Sequence, residues 1–350
     1  MKVEPLVSII IVNWNGGKVF EECLKSLTKV NKPRWELILV DNGSTDESQL
    51  LINKIDFPAT SVKLIQNKKN VGFAPANNQA YKEAKGKYIL LLNNDTKATP
   101  NFLEPLVSKM EEDSSLGVIQ PKIYLMDTDK LLDNAGSFMT RIGFLDHWGF
   151  MQKDSGEFDQ EREIFSAKGA CMLIRKSVVD NVGLFDDDFV SYFEESDFCW
   201  RVWLAGFKVI YYPKTHVFHK LGFTIRRQNV LDMNCHYYKN RISSLMKNLE
   251  TKNLLLVLVP HLLISLGISL AFLLSLRFRS FTMVLRALVW NLLNILSTAR
   301  KRKRIQDFRI ISDDLLFKRV GKKIDWIKFY ESFKRVQNDI VRRLVTTGSK

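Results

Sequence analysis

Cysteine is scarce in this chain of 350 residues: there are four, they lie far apart, and none forms a CxxC spacing. That pattern argues against a disulfide framework and a structural zinc site, and it predicts buried thiols in a reducing compartment. A GxGxxG sequence is missing after the first apolar segment, which argues against a nicotinamide dinucleotide site. No small-residue cleavage site follows that segment, so no signal peptide is predicted.

Net charge is almost absent from the first four-fifths of the chain. Residues 1–276 contain 33 Lys and Arg against 32 Asp and Glu, whereas residues 277–350 contain 19 against 6. The formal net charge of +14 therefore belongs to the tail. A nucleic-acid enzyme usually spreads positive charge over its catalytic face. Here the charge follows a long apolar stretch, which indicates an anionic membrane surface and not a nucleic acid as the partner.

Apolar segments in the first third of the chain alternate with helical patterns. Strands are predicted at residues 6–12, 35–40, 62–66 and 88–92, and helices at 18–27 and 75–84. This alternation predicts an α/β fold with a mostly parallel sheet and right-handed crossovers. Because Asn, Asp or Gly follows each of the four strands, polar side chains are expected to gather at one edge of the sheet.

Asp95 follows the most apolar of these strands, in the sequence GKYILLLNNDT at residues 86–96. Four consecutive apolar residues that stop at two amides and a carboxylate are typical of a strand buried on both faces. A carboxylate at the carboxyl end of such a strand suits a divalent cation that holds a pyrophosphate. The alternative is a strand followed by an Asn-rich turn.

The rest of the chain divides into a mixed middle and an apolar, basic tail. Further strands are predicted at residues 118–125, within 165–175 and at 208–212, with a helix from about residue 193 and a polar loop at 141–163. The predicted domains are 1–250, 251–300 and 301–350.

The tail itself contains two apolar segments. Residues 254–276 carry no formal charge and are long enough to span a bilayer, whereas residues 281–299 contain Arg286 and make a poor lone span. Basic flanks on both sides favour a re-entrant hairpin, or helices in the membrane interface, over a single crossing. A buried core helix is the alternative. Residues 325–345 have the pattern of a basic amphipathic helix.

Seven motifs occur in a fixed order along the chain: VNWN (12–15), VDNGSTD (40–46), NVGFAPANN (70–78), LLLNNDT (90–96), KGACMLIRK (168–176), YFEESDFCWR (192–201) and HVFHKLG (216–222). Together they resemble family 2 glycosyltransferases of the GT-A fold. Within that family they look most like the bacterial rhamnosyltransferase-type branch that builds cell-surface polysaccharide. The resemblance covers roughly residues 6–225. It implies a nucleotide-diphospho-sugar transferase fold, which is a Rossmann-like mixed sheet flanked by helices, followed by a C-terminal membrane-associated helical region.

The resemblance implies a divalent cation, Mg²⁺ or Mn²⁺, as cofactor. The family's short acidic motif falls at residues 93–95, where Asp95 is the expected metal ligand and Asn93 touches either the metal or only the ribose. His219 matches a second metal ligand of some relatives, and would bind Mn²⁺ or a phosphate. The alternative for His219 is a surface histidine, and His216 is taken as a bystander.

The nucleotide is expected over the first strand ends. Asp41 would accept a hydrogen bond from a base N–H or a ribose hydroxyl, or it would cap the turn that follows, and both can hold together. Gly72 would permit close backbone approach and Asn77 would donate from its amide. The complete set of expected nucleotide contacts is Asn13, Asp41, Asn70, Gly72, Asn77, Asn93 and Asn94.

Glu194 and Glu195 are the candidate catalytic bases. Adjacent helical residues point about 100° apart, so only one of them can face the acceptor. The family pattern is Glu-Asp-x-Asp, and its second acid, the base, corresponds to Glu195. A position in the first turn of a helix favours the ionised carboxylate that a base needs. A solvated acidic helix start is the alternative.

Four more residues are expected on the acceptor side: Asp197 and Arg201, which would brace the helix at i,i+4 spacing, and Gly169 and Ala170, which resemble the acceptor-side turn. The resemblance implies an inverting enzyme that moves L-rhamnose from dTDP-L-rhamnose, or a hexose from a UDP-sugar. The acceptor would be a hydroxyl of a polyprenyl-linked or cell-surface glycan at the cytoplasmic face of the membrane. A non-enzymatic membrane or nucleic-acid binder and a nicotinamide oxidoreductase remain the alternatives.

Overall fold

The computed structural model describes residues 6–220, 230–327 and 330–331. The strands are β1 (Val7–Asn13), β2 (Trp35–Asp41), β3 (Val62–Gln66), β4 (Tyr88–Leu92), β5 (Thr96–Ala98), β6 (Leu116–Leu125), β7 (Leu132–Asn134), β8 (Ser137–Thr140), β9 (Leu145–His147), β10 (Arg162–Glu163), β11 (Cys171–Arg175), β12 (Lys208–His219) and β13 (Gly321–Lys322). The helices are α1 (Gly17–Leu27), α2 (Phe73–Tyr81), α3 (Leu103–Glu112), α4 (Lys176–Val182), α5 (Glu194–Leu204), α6 (Val230–Asn248), α7 (Thr251–Leu274), α8 (Phe278–Leu293), α9 (Ile295–Asp307) and α10 (Asp313–Val320).

The central sheet has the strand order β10-β12-β6-β11-β4-β1-β2-β3. The strands β3, β2, β1 and β4 pair in parallel, so their carboxyl ends share one edge, as the sequence predicts. Beyond β4 the parallel order is interrupted, because β11 runs antiparallel to both β4 and β6. The sheet is therefore mixed, with β6 and β12 forming a second parallel pair.

Alternating apolar side chains of the central strands fill two cores, one on each face of the sheet. Ile10, Ile38 and Leu91 belong to the core on one face, and Ile9 and Leu37 to the core on the other. Burial on both faces explains why these strands are continuous apolar runs in the sequence. It also holds the polar residues after the strands in fixed positions.

Some predicted boundaries differ from the structure. The strand predicted at residues 208–212 continues to His219, because a register shift between Tyr212 and His216 lets it resume pairing with β6. The loop predicted at residues 141–163 contains β9 and β10, which are too short to give a periodic pattern. The helix predicted from residue 75 begins at Phe73.

The burial pattern of the apolar helix α7 is opposite to that of a helix in the core of a soluble protein. Its polar residues His261, Ser265 and Ser269 are buried on one stripe, whereas leucines such as Leu263 and Leu270 are more than half exposed. Only 22% of the most apolar stretch of α7 is buried, which does not fit the alternative that it is a buried core helix. By length and composition α7 could cross a membrane, and α8 and α9 form a second candidate bent by 67°.

The remaining tail predictions are only partly covered by the structure. Whether α7 spans, re-enters or lies on a membrane stays a prediction. Most of the amphipathic helix predicted at 325–345 lies outside the described residues, and so does the end of the last motif, residues 221–222.

Candidate active site

Buried polar side chains connect the ends of β1, β2 and β4. Asn13 has no exposed surface, and its Nδ2 atom lies 2.8 Å from Oγ of Ser48 and 3.4 Å from Oδ1 of Asp41. Its Oδ1 atom accepts a hydrogen bond of 2.9 Å from Nδ2 of Asn94. Asp41 also accepts from the backbone N–H of Ser44, so the capping alternative for Asp41 is realised in the structure. Three of the expected nucleotide contacts are thus brought together at one edge of the sheet.

The loop before α2 is held against this edge by Asn42. Its Oδ1 accepts from the backbone N–H of Val71 at 3.1 Å, and its Nδ2 donates to Oδ1 of Asn70 at 2.9 Å and to the carbonyl of Gly72 at 3.2 Å. Asn77 is buried, and its Nδ2 donates to the carbonyl of Phe73 within its own helix. This bond stabilises the first turn of α2, and a contact of the Asn77 amide with a nucleotide stays a prediction.

Gly72 is required where this loop meets the segment before α5. Its φ is +99°, which side chains rarely adopt, and an added Cβ would lie 2.7 Å from the carbonyl oxygen of Val190. The backbone N–H of Ala74 donates a hydrogen bond of 3.0 Å to the same carbonyl. The predicted close approach at Gly72 is therefore made to Val190.

Asp95 and His219 face each other at the ends of neighbouring strands. The antiparallel register of β5 and β12 pairs Thr96 with His219, and the Nε2 atom of His219 lies 3.1 Å from Oδ1 of Asp95. On the other side of the ring, Nδ1 lies 2.9 Å from Oδ2 of Asp133. The second oxygen of Asp133 lies 2.7 Å from Nζ of Lys168. These four side chains form one continuous chain of charged contacts.

The two carboxylates make this position favourable for positive charge. Burial alone would lower the pKa of His219, but Asp95 and Asp133 outweigh burial and raise it to about 9. Burial would raise the pKa of Asp133, but Lys168 and His219 outweigh it and hold that pKa well below its usual range. His219 is 5% exposed, so the alternative of a surface histidine is wrong.

The turn at Gly169 and Ala170 joins the Asp95 side to the two glutamates. The carbonyl of Ala170 accepts hydrogen bonds from the N–H of Asn93 and from the hydroxyl of Thr96. A Cβ added to Gly169 would lie 4.0 Å from Cδ of Glu195. Asp95 and Glu195 are therefore linked by a short path of contacting residues and do not lie on remote faces.

Glu194 and Glu195 differ in their surroundings, as the helical geometry predicts. Glu194 is buried, whereas Glu195 is partly exposed, and Oε2 of each accepts no hydrogen bond from the residues that the structure describes. Burial and the neighbouring Glu195 raise the pKa of Glu194 well above its ordinary value. Burial also raises the pKa of Glu195, but its own backbone N–H, the charge of Lys168 and the N–H of Gly169 oppose that rise. Glu195 is thus the glutamate that ionises first.

Asp197 and Arg201 brace α5 from its buried side. Arg201 contacts Oδ2 of Asp197 at 3.1 Å and donates to the carbonyls of residues 182–184. Asp197 also accepts from Ser244 at 2.5 Å and is 3.2 Å from Nζ of Lys247. With no exposed surface on Asp197 and 5% on Arg201, the structure supports bracing and does not support direct contact with an acceptor.

The segment before α5 is held by residues of α6 and α9. Val190, Tyr192 and Phe193 all have φ between 58° and 70°, an unfavourable conformation for these residue types. Nδ2 of Asn240 lies within 3.0 Å of the carbonyls of residues 189, 191 and 192. A carboxylate oxygen of Asp186 lies 2.5 Å from Nζ of Lys247, and the other lies 2.5 Å from Nζ of Lys301.

Comparison with known proteins shows to which family the chain belongs. The profile described as Glycosyl transferase family 2 matches residues 8–183, which is half of the chain. The chain belongs to glycosyltransferase family 2. One relative of this family, the putative teichuronic acid biosynthesis glycosyltransferase TuaG of Bacillus subtilis, is 31% identical over 111 residues, covering 32% of this chain and 44% of its own. The chain spans less than half the length of the curated relatives that it matches first.

Solved structures of two glycosyltransferases confirm the predicted GT-A type of fold. S. aureus TarS 1–349 in complex with UDP-GlcNAc is 18% identical with a TM-score of 0.56, over 87% of this chain and 89% of that one. The mannosyltransferase PcManGT from Pyrobaculum calidifontis, in complex with GDP-Man and Mn²⁺, is 14% identical with a TM-score of 0.52, over 87% and 86%. At these identities the likeness concerns the fold alone.

Sequence reasoning missed three polar residues of this family 2 site. Asn42 and Lys168 lie inside recognised motifs, but neither was assigned a role. Asp133 follows Leu131 and Leu132, and this segment is too short to show a periodic pattern. Only the position of Asp133 after a short apolar run could have indicated it. The match to the family ends at residue 183, so Glu195 and His219 are placed in the site by geometry.

Proposed function

We propose that this chain is an inverting glycosyltransferase that moves a sugar from a nucleoside diphosphate to a hydroxyl group of a glycan acceptor. The observation that carries the proposal is the connected path from Asp95 and His219 through Lys168 and Gly169 to Glu195. This path brings the position of His219, which favours positive charge, and the carboxylate of Glu195, whose pKa is raised, to one edge of the sheet. Family membership supports the same chemistry.

A divalent cation, Mg²⁺ or Mn²⁺, fits the residues on the strand-end side. In the part of the chain that the structure describes, no three His, Cys, Asp or Glu side chains form a cluster able to hold a metal ion. Asp95 and His219 would therefore supply two ligands and leave the remaining positions to phosphate oxygens and water. When bound, such a cation acts as a Lewis acid for the departing diphosphate. The Mn²⁺ in the PcManGT complex is consistent with this proposal.

Glu195 accepts the proton of the acceptor hydroxyl in the proposed reaction. The hydroxyl oxygen forms a bond to the anomeric carbon on the face opposite the diphosphate, and the bond from that carbon to the phosphate oxygen breaks. The electron pair of that bond leaves with the nucleoside diphosphate, and the configuration at carbon is inverted. Glu194 keeps its own proton and lies behind Glu195.

The donor and acceptor are proposed more broadly. Either dTDP-L-rhamnose or a UDP-sugar fits the motifs, and the UDP-GlcNAc bound to TarS favours a UDP-sugar by analogy of fold. For the acceptor we propose a polyprenyl-linked or cell-surface glycan at the cytoplasmic face of the membrane. The assignment of TuaG to teichuronic acid biosynthesis agrees with a cell-surface glycan.

The outward face of the C-terminal helices supports the membrane part of the proposal. Leu255, Leu263, Leu274 and Leu292 are each more than 60% exposed, and an apolar surface of that extent is rarely left in water. The exposed cations beside these leucines are Arg277, Arg279, Arg286, Arg300, Lys303 and Arg304. An apolar face bordered by Arg and Lys is typical of a helix group in the interface of an anionic membrane.

Calorimetry with UDP and dTDP, each with Mg²⁺ or Mn²⁺, tests the proposed function. We expect the full chain to bind a nucleoside diphosphate in the presence of the cation, and Asp95→Asn to weaken that binding at least about tenfold, because one charged ligand is lost. Asp154→Asn is the matched control: Asp154 is also buried and paired with a lysine, Lys122, but outside the site. A wild-type chain that binds neither nucleotide would refute the proposal, and so would equal binding by Asp95→Asn.

A further inference from the structure

One buried carboxylate has no part in the proposed reaction, although it touches both halves of the site. Asp133 lies on β7 and has no exposed surface. Its Oδ2 atom is 2.9 Å from Nδ1 of His219, and its Oδ1 atom is 2.7 Å from Nζ of Lys168. Both oxygens are engaged, so Asp133 is not itself a metal ligand in this arrangement.

We propose that Asp133 and Lys168 are positioning residues: Asp133 directs Nε2 of His219 toward Asp95, and its ion pair with Lys168 holds the charge of the lysine near Glu195. This proposal rests on the proposed function, because it concerns the residues that would hold the cation and accept the proton.

The contacts of His219 are those of a ligating histidine. Metal-binding histidines usually donate their second ring N–H to a carboxylate, which fixes the tautomer and the orientation of the ring. Nδ1 of His219 is held in this way by Asp133, and Nε2 lies on the Asp95 side at 3.1 Å. Without Asp133 the ring could rotate about its side-chain bonds, and the ligand would lose its direction.

The backbone near Asp133 and Lys168 is held without their side chains. β7 pairs with β6, and Nε2 of Gln120 donates to the carbonyl of Asn134 at 3.0 Å. The backbone N–H of Lys168 donates to Oε1 of the same Gln120 at 2.8 Å. The backbone of these segments is therefore held by contacts other than the ion pair, although replacing one partner leaves the other charge without its counterpart.

Lys168 extends the effect of the pair to the base. It directly precedes Gly169, whose Cβ position lies 4.0 Å from Cδ of Glu195, and its charge favours the ionised form of Glu195. Asp133 limits where the Lys168 ammonium can lie. The same ion pair thus sets the direction of His219 on one side and the charge near Glu195 on the other.

Mn²⁺ binding, followed by electron paramagnetic resonance with and without UDP, tests the proposal on the full chain. We expect Asp133→Asn to weaken Mn²⁺ binding about 10- to 100-fold, the usual effect of removing such an outer carboxylate. We expect His219→Ala to cause a loss at least as large, and the double variant Asp133→Asn/His219→Ala to bind no more weakly than His219→Ala alone, since Asp133 acts through the imidazole. Asp154→Asn again serves as the control and should bind as the wild type does.

Two results would overturn the proposal: Mn²⁺ affinity of Asp133→Asn within twofold of wild type, or independent, additive losses in the double variant. If Asp133→Asn does not fold, as judged by circular dichroism, Lys168→Met decides by its kcat–pH profile. It should move the acid limb to higher pH, because the cation that favours the ionised form of Glu195 is lost, and an unchanged acid limb would contradict the proposal. A wild-type chain that binds no Mn²⁺ with UDP would instead refute the proposed function, which is a separate observation.

Discussion

Replacing each of the two adjacent glutamates by glutamine should give very different enzymes. Glu194 has the more strongly raised pKa, and Glu195 is the one whose ionised form is favoured by Lys168 and by the N–H of Gly169. At the pH where Glu195 ionises, Glu194 still carries its proton. Glutamine has nearly the shape and the neutral charge of a protonated glutamate, so Glu194→Gln changes little, whereas Glu195→Gln removes the base.

The expected magnitude follows from the role of each group. A positioned general base contributes about 10²- to 10⁴-fold in rate, so Glu195→Gln should lower kcat by that factor, which is about 3–5 kcal/mol of activation free energy. Glu194→Gln should stay within about tenfold of wild type. Because burial raises the pKa of Glu195 above 4.5, wild-type kcat should fall as the pH decreases through that raised value. Glu194→Gln should keep this acid limb, since the group that it replaces is neutral there.

Steady-state kinetics from pH 5 to 9, with release of nucleoside diphosphate as the signal, would measure both effects. Calorimetry with UDP controls for the integrity of the donor site, because neither substitution touches Asp95 or His219. Comparable losses of kcat in the two variants would refute the assignment of Glu195. An acid limb that persists in the residual activity of Glu195→Gln would refute it as well.

Two further predictions concern stability and the membrane. Lys247→Met leaves the buried carboxylate of Asp197 with Arg201 as its remaining cation, so unfolding free energy should fall by about 1–3 kcal/mol at pH 7 in a denaturant titration. Burial raises the pKa of Asp197, but its cationic neighbours outweigh burial and lower it. The stability that these neighbours provide is therefore lost at acid pH, and the difference in unfolding free energy between wild type and Lys247→Met should shrink there. A difference under about 1 kcal/mol at pH 7 would contradict this reasoning. The double variant Leu263→Glu/Leu270→Glu should float with anionic vesicles at least about tenfold less than the wild type does. Leu50→Glu, which changes an exposed leucine on the α/β part, should float as the wild type does. Equal flotation of the wild type and both variants would refute the membrane surface.

The sequence predicts the parallel half of the sheet and the strand-end residues well, because both depend on local patterns. Continuous apolar runs that end in Asn or Asp identify β1, β2 and β4 without any knowledge of tertiary contacts. Asn13, Asp41 and Asn94 then meet, because parallel strands bring their carboxyl ends to the same edge. The distinction between Glu194 and Glu195 also follows from local helical geometry.

The rest of the site depends on contacts between residues far apart in the chain. Asp133 and His219 are separated by 86 positions, and no pattern near either residue indicates the other. The same holds for Asn240, whose amide serves carbonyls about 50 positions earlier. Asp197 and Arg201 were recognisable as an ion pair from their spacing, but their complete burial follows from α6, which the spacing does not reveal.

The attachment of α6 and α9 to the segment before α5 connects the C-terminal helices to the proposed active site. Asn240, Lys247 and Lys301 together hold residues 186–192, and Glu195, the proposed base, follows three residues later. A shortened chain without α6 and α9 would lose these contacts. Under the proposed membrane association, a change in bilayer thickness that tilts these helices would displace Glu195, and turnover would then depend on lipid composition.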